Sequence, residues 1–465
     1  MRKIMKIKFI YIIAILTFIL SCKPEVNEFT PSNGEADFTS YVAIGNSLTA
    51  GYADGALYTS GQEYGWANIL AGQFKEVGGN GQFNIPMMPT EDGVGVSFPG
   101  LVTKFVLGYS EDCLGNTSLG PVRAVANPDQ LKLLTELVTS VSADGPFNNT
   151  GVPGIKVVNL FAPGLGLLNP YYGRMADNPA TDKLIDEVAK VDPTFFSLWV
   201  GNNDVLDYAT SGGINSITPL EGPIGVGFTS TYAAAVQTIM ASANKGVLAN
   251  IPGVTSAAFF TTIHYNVVDI DDQLTVDDLN AEYALYNATM EQLGESYRIN
   301  FQLGNNPMVI MDETMLVPEP LKFRQMTNDE LVLLSIPQDS IRCAMWGSVK
   351  PVSDKYILTI SEITEVTAAI TAYNEIIKQT AETNGLAYVD FNSFLIEAST
   401  VGVVFDGITF TTDFITGNMF SLDGIHLTPQ GNAVVANYFI DAINSTYNSN
   451  IPKAVIGSYP ATDYP

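Results

Sequence analysis

The sequence predicts an α/β protein built on a mostly parallel sheet with helices on both faces. Two observations lead there: short, continuous apolar runs that stop at a glycine or another turn residue, and helical apolar spacings between them. Composition agrees. Of 465 residues, 46% are hydrophobic and only 15% are charged, enough for a large core and too apolar for a disordered chain.

Tyr41-Val42-Ala43-Ile44 runs into Gly45, the pattern of a buried strand entering a tight turn. Phe195 to Val200 repeats it ahead of Gly201, and Val247 to Ile251 and Leu386 to Asp390 do so again. Between the runs, apolar residues fall three and four apart in Lys183 to Lys190, in Tyr232 to Ala243, and at Ile363, Val366, Ile370, Tyr373 and Ile377. A last helix shows in Val434, Val435, Tyr438, Phe439 and Ile443. Strands alternating with helices call for parallel pairing. Two stretches are poor in such units and read as insertions: residues 78–150, loop-like and rich in Gly, Pro and Asn, and residues 265–354, with one good helix over Leu279 to Leu293. Asp269, Asp271, Asp272, Asp277 and Asp278 invite a calcium-loop reading, but an EF-hand needs glycine where Leu274 stands and glutamate where Asn280 stands. Thr275-Val276-Asp277-Asp278 reads instead as the capped, acid-rich start of that helix.

Arg2, Lys3, Lys6 and Lys8 precede an uncharged apolar run, Phe9 to Leu20, shorter than the ~20 residues of a bilayer-spanning helix. Residues 1–21 therefore read as an export signal. Ile19-Leu20-Ser21-Cys22 resembles a bacterial lipobox, which implies cleavage before Cys22, a diacylglycerol on its thiol, and attachment to a membrane of the cell envelope. An ordinary secretory signal is the alternative. The outer membrane, on its periplasmic or surface face, is the expected location. Residues 22–40 have the composition of a solvated tether, so the folded domain is expected over 41–460. Cys113 and Cys343 then remain as an even pair in an oxidising compartment, able to bridge. The net charge of −26, more negative once the basic leader is removed, excludes nonspecific nucleic-acid binding. The sequence does not reveal an oligomeric state.

Gly45-Asn46-Ser47-Leu48 places Ser47 at a strand-to-helix turn, on the carboxyl edge where open α/β sheets keep their sites. Asp423-Gly424-Ile425-His426 lies just before the last helix; an Asp three residues ahead of a His can turn back and hold one ring nitrogen, leaving the other to take a proton from a serine. The chain has two histidines, and His264, with no adjacent carboxylate, reads as a loop residue; no Cys/His zinc spacing exists. Gly201-Asn202-Asn203-Asp204 follows a strand, where an amide can donate to a developing oxyanion. Gly154, in Gly151-Val152-Pro153-Gly154, would let its backbone N–H approach a substrate closely. Singly, each of these also fits a cap or a turn.

Their order and shared placement resemble the SGNH (GDSL-type) hydrolase family, whose four blocks supply a serine nucleophile, a glycine and an asparagine for the oxyanion hole, and an Asp-x-x-His pair. The resemblance is confined to the motif neighbourhoods. It implies a three-layer α/β/α fold with a central, mostly parallel, about five-stranded flavodoxin-like sheet. It also implies Ser47, Asp423 and His426 as the triad, and the Ser47 and Gly154 N–H groups with Asn203 as the oxyanion hole. No metal or organic cofactor is expected. Three departures stand out: Asn46 where the family has Asp, Pro153 before Gly154 where many members have Ser, and Leu427 where Pro commonly follows the histidine. Gly151 and Gly164 remain alternatives to Gly154. The implied function is an exported, lipid-anchored serine esterase acting on an acyl lipid or an acetylated glycan. Its rivals are a polysaccharide O-deacetylase and a non-catalytic glycan- or protein-binding lipoprotein on the same fold.

Overall fold

A computed structural model describes residues 29–97 and 100–465. The expected export signal and the lipidation expected at Cys22 fall outside the described residues. The apolar runs become strands: β1 (Tyr41–Gly45), β2 (Asn149–Gly151), β3 (Phe195–Trp199), β4 (Lys245–Ala249) and β5 (Ala387–Val389). They form one parallel five-stranded sheet in the order 5-4-3-1-2. The chain moves outward from β1 to β2 and then crosses back to β3, so the order reverses at β1, the point where doubly wound sheets open a crevice. Register brings Gly45 level with Gly151 on one side and Trp199 on the other, so three strand ends share one edge.

The longer helices are α1 (Trp66–Lys75), α2 (Gln130–Val138), α3 (Asn202–Thr210), α4 (Phe228–Met240), α5 (Gln273–Gln292), α6 (Ile360–Asn384), α7 (Phe391–Thr400) and α8 (Pro429–Tyr447). Side chains alternate along a strand, so Phe195 and Trp199 point to one face. There Trp66 of α1 stacks on Phe439 of α8 at 4.3 Å and meets Trp199 at 5.8 Å, while Phe195 lies 5.5 Å from Phe74 and 5.9 Å from Tyr447. α4 and α6 cover the other face, joined by the stacked rings of Phe228 and Tyr373 at 4.0 Å. Helix starts follow from local chemistry. Thr359 and Glu362 form a capping box on α6, Asp390 caps α7, and Thr428 caps α8 with Pro429 in its first turn.

The structure differs from expectation in four places. Residues 29–40 are not a solvated tether: Phe38 is 3% exposed and stacks on Phe74 at 4.2 Å, and Glu35 N–H donates to the Tyr447 carbonyl at 2.8 Å. Composition missed this because two apolar side chains, Ala36 and Phe38, suffice to dock an otherwise polar segment. The loop-like region 78–150 holds a hairpin, Phe105–Glu111 against Thr117–Arg123, and helix α2. Gly108, Gly120 and Pro121 hide the strand pattern, and Pro121 is tolerated because a two-stranded ribbon has free edges. β2, Asn149–Gly151, lies at the end of that region, where the sequence reads as loop. The helix α5 is capped by Asp272, whose side chain accepts the Thr275 N–H, and not at Thr275.

Residues 265–354 build a small core of their own, with Tyr283, Tyr286 and Met290 of α5 packed against Ile299, Met308 and Val309. Cys113, in the hairpin tip, is disulfide-bonded to Cys343 in this second insertion. Arg342 pairs with Asp112 at 2.7 Å beside it, so the two insertions clasp each other.

Candidate active site

Ser47 opens a short helix, Ser47–Ala50, directly beyond β1. The Asn46 side chain accepts the Leu48 N–H at 3.1 Å, so asparagine caps this turn in place of aspartate. Ser47 is 8% exposed, and at a first helical turn its own N–H has no intrahelical acceptor.

Asp423 and His426 arrive on the loop ahead of α8. His426 Nε2 lies 2.8 Å from Ser47 Oγ, and Nδ1 lies 2.8 Å from Asp423 Oδ2. The carboxylate is held from several sides. Its Oδ1 accepts the N–H groups of Ile425 and His426, each at 2.9 Å, and the Ser421 hydroxyl at 3.2 Å; Oδ2 also accepts the Gly55 N–H at 2.8 Å. Burial alone would raise this acid, but the neighbouring imidazole and these hydrogen bonds outweigh it and hold the carboxyl well below the usual carboxylate range. An ionised carboxylate only accepts, so Nδ1 is the donor and a neutral ring presents its Nε2 lone pair to the serine hydroxyl.

The oxyanion candidates come from two turns at the same edge. Val152-Pro153-Gly154-Ile155 is a β-turn closed by Ile155 N–H to the Val152 carbonyl at 3.5 Å, with Gly154 at φ 81°. Proline then glycine with positive φ is the chemistry of a type II turn. At the end of β3, Gly201 takes φ 115°, where an added Cβ would lie 2.9 Å from Ile251 Cδ1; the chain turns there and starts α3 with Asn202 and Asn203. Asn203 Nδ2 donates one hydrogen to the Ile155 carbonyl at 2.8 Å, and the amide keeps a second. Asp204, fully buried, accepts the Val157 N–H at 2.9 Å, and burial pushes its carboxyl up to about 6. Two consecutive side chains of α3 thus fasten the segment that follows Gly154.

Ser47, Gly154, Asn203 and His426 line one cleft of about 530 Å³. Neither alternative glycine lines it. Gly151 is a β2 residue whose Cβ would fall 2.3 Å from Ala50 N, and Gly164 caps the short helix Leu165–Leu168. His264 is exposed on a loop.

Sequence reasoning missed the supporting groups. Ala53-Asp54-Gly55-Ala56 is a tight turn with positive φ at both Asp54 and Gly55; beyond the Gly55 bond to Asp423, Asp54 Oδ1 accepts the Leu422 N–H at 2.9 Å. Asn169 Nδ2 donates to the Pro153 carbonyl at 2.8 Å, steadying the turn that presents Gly154, while its Oδ1 caps the helix starting at Pro170. Asp-Gly and Asn-Pro are legible as turn and cap signals, but nothing local says what the turn or cap will hold. In comparison with known proteins, no family model matches the chain and no curated protein is similar to it.

Proposed function

We propose that this chain is a serine ester hydrolase of the SGNH type, anchored to the cell envelope through Cys22. The reading rests on one observation above all: the continuous hydrogen-bonded line from Ser47 Oγ through His426 to Asp423, at 2.8 Å in each link. Ser47 Oγ attacks the ester carbonyl carbon as its proton passes to His426 Nε2. Asp423 keeps the ring oriented and stabilises the imidazolium. The carbonyl oxygen gains the negative charge, facing the Asn203 amide and the N–H groups of Gly154 and Ser47; one such donor is worth roughly 3 to 4 kcal/mol in the transition state. His426 returns the proton to the departing alkoxide as the carbon–oxygen bond breaks. Water then attacks the acyl-enzyme, passing one proton to His426, and the acid leaves as Ser47 recovers its hydrogen. The sequence of steps calls for no metal or organic cofactor. The doubly wound order and the placement of all four blocks at one sheet edge support the family assignment.

The test is covalent. Wild-type protein should react with a fluorophosphonate probe and hydrolyse p-nitrophenyl esters, and Ser47→Ala should lose both. Labelling that persists in Ser47→Ala would remove that residue from the role.

A further inference from the structure

The first described residues and the Ser47 site stand at opposite edges of the sheet. All five strands run the same way, and Ser47, Gly154 and Asn203 come after the carboxyl ends of β1, β2 and β3. Residues 29–40 instead lie along the amino edge. The Ser40 carbonyl accepts the Phe195 N–H at the start of β3 at 3.1 Å, and the Glu35 carboxylate pairs with Lys245 at the start of β4 at 3.8 Å. Further out, the Ser32 carbonyl accepts the Asn450 N–H at 2.8 Å and the Thr30 carbonyl accepts Asn450 Nδ2 at 2.7 Å, just past the C-terminal end of α8. α8 joins the two edges. It begins three residues after His426 and ends at Tyr447, whose hydroxyl donates to the Gly246 carbonyl at 2.7 Å. Its 19 residues make a strut of about 28 Å.

Cys22 is seven residues ahead of Phe29, the first described residue. A chain of that length reaches at most about 25 Å even when drawn straight. Given the esterase reading and lipidation at Cys22, on both of which this rests, we infer that the cleft stands clear of the bilayer that holds the anchor, and that the substrate is a water-borne ester, not a lipid of that bilayer. Turning the cleft onto the bilayer would lift the amino edge by the length of α8, beyond the reach of the anchor. Val96 and Leu168, 59% and 86% exposed at the cleft mouth, then meet substrate or solvent and not the anchoring lipid.

The experiment uses the lipidated protein in phosphatidylcholine–phosphatidylglycerol vesicles that carry a quencher at their headgroups. A dye is placed on Leu168→Cys at the cleft mouth or on Thr446→Cys in the last turn of α8, where the side chain is exposed. Quenching is expected to be weaker from Leu168→Cys by about threefold or more, given about 28 Å between the two ends. Should Leu168→Cys fail to fold, a fluorescent fluorophosphonate on Ser47 of the wild type reports the same end. The consequence is read with a butyryl ester free in water and the same ester tethered by a lipid to the protein's own vesicle. Anchored protein and Cys22→Ser are expected to hydrolyse the free ester at equal rates, and anchoring is expected to raise the rate on the tethered ester by less than about twofold. Equal quenching at the two ends, or a gain of about tenfold or more on the tethered ester, overturns the orientation and leaves the hydrolase standing. No hydrolysis of either ester and no labelling of Ser47 overturns the hydrolase and the substrate with it, while the difference in quenching still reports the orientation. Protein that stays off the vesicles overturns the anchor, and this inference with it.

Discussion

Asp423 shows how one carboxylate can be committed to one state. Its oxygens receive the His426 ring, three backbone N–H groups and the Ser421 hydroxyl, a donor set that an amide in its place cannot satisfy. In Asp423→Asn the side chain can offer N–H₂ to Nδ1 and so force the tautomer that points N–H, not a lone pair, at Ser47. The expected loss in kcat is about 10⁴-fold, with KM little changed. Steady-state kinetics on a p-nitrophenyl ester measure it, and a loss under about tenfold would take Asp423 out of the proposed triad. The Tyr52 ring, 4.8 Å from the imidazole, and the Gly55 N–H come from the stretch just after Ser47. The segment that follows Ser47 therefore also holds His426 and Asp423.

Among the elements, β2 is the informative one. Asn149-Thr150-Gly151 is a poor strand by composition, yet it pairs with β1 because Asn149 Nδ2 donates to the Thr49 carbonyl at 2.8 Å and Thr150 Oγ1 to the Ala43 carbonyl at 3.1 Å. Side-chain bonds here replace apolar burial, and the strand delivers the Gly154 turn to the edge. The hairpin of the first insertion depends on a different device. Its tip, residues 112–116, is fastened by the Cys113–Cys343 disulfide, the Arg342–Asp112 pair and the Cys113 N–H to Asp339 bond. An exposed ion pair is worth little, so the covalent link should dominate. Reduction, or the double change Cys113→Ser and Cys343→Ser, is expected to open the tip to limited proteolysis between residues 111 and 117, read by mass spectrometry of the fragments. Identical digestion of oxidised and reduced protein would show that the polar contacts suffice.

For the molecule as a whole, stability should fall as pH rises through neutrality. Asp354, at the root of the second insertion, is pushed up to about 7 by burial first and then by the charges of Glu362, Asp312 and Glu313, against the opposing pull of Arg324. Asp204, raised to about 6 by burial, has the same sign. A carboxyl with a folded-state pKa above its unfolded value, about 3.9, adds stability in full below that value and loses it as pH rises through the folded one. Thermal unfolding should therefore shift to lower temperature between about pH 4 and pH 7. Asp354→Asn should flatten that slope by raising Tm at pH 8 while leaving it near wild type at pH 4. An unaltered slope would mean that Asp354 is not a source of it.

β1, β3, β4 and β5 were readable because strands buried on both faces must be apolar throughout, and α4, α6 and α8 because their apolar spacing matches the helical period. Ser47, Asn203, Asp423 and His426 were readable by type and by their position after strands or before a helix. Those are properties of a residue and its neighbours along the chain, and the sequence by itself determined them. The partners of Asp423 on the Gly55 turn, 368 positions away, were not, nor were the Asn169 bond beneath Gly154 and the docking of residues 29–40. Only the tertiary structure decided these, because each depends on backbone groups or apolar side chains whose chemistry is common everywhere in the chain. They acquire a role through what packing brings against them.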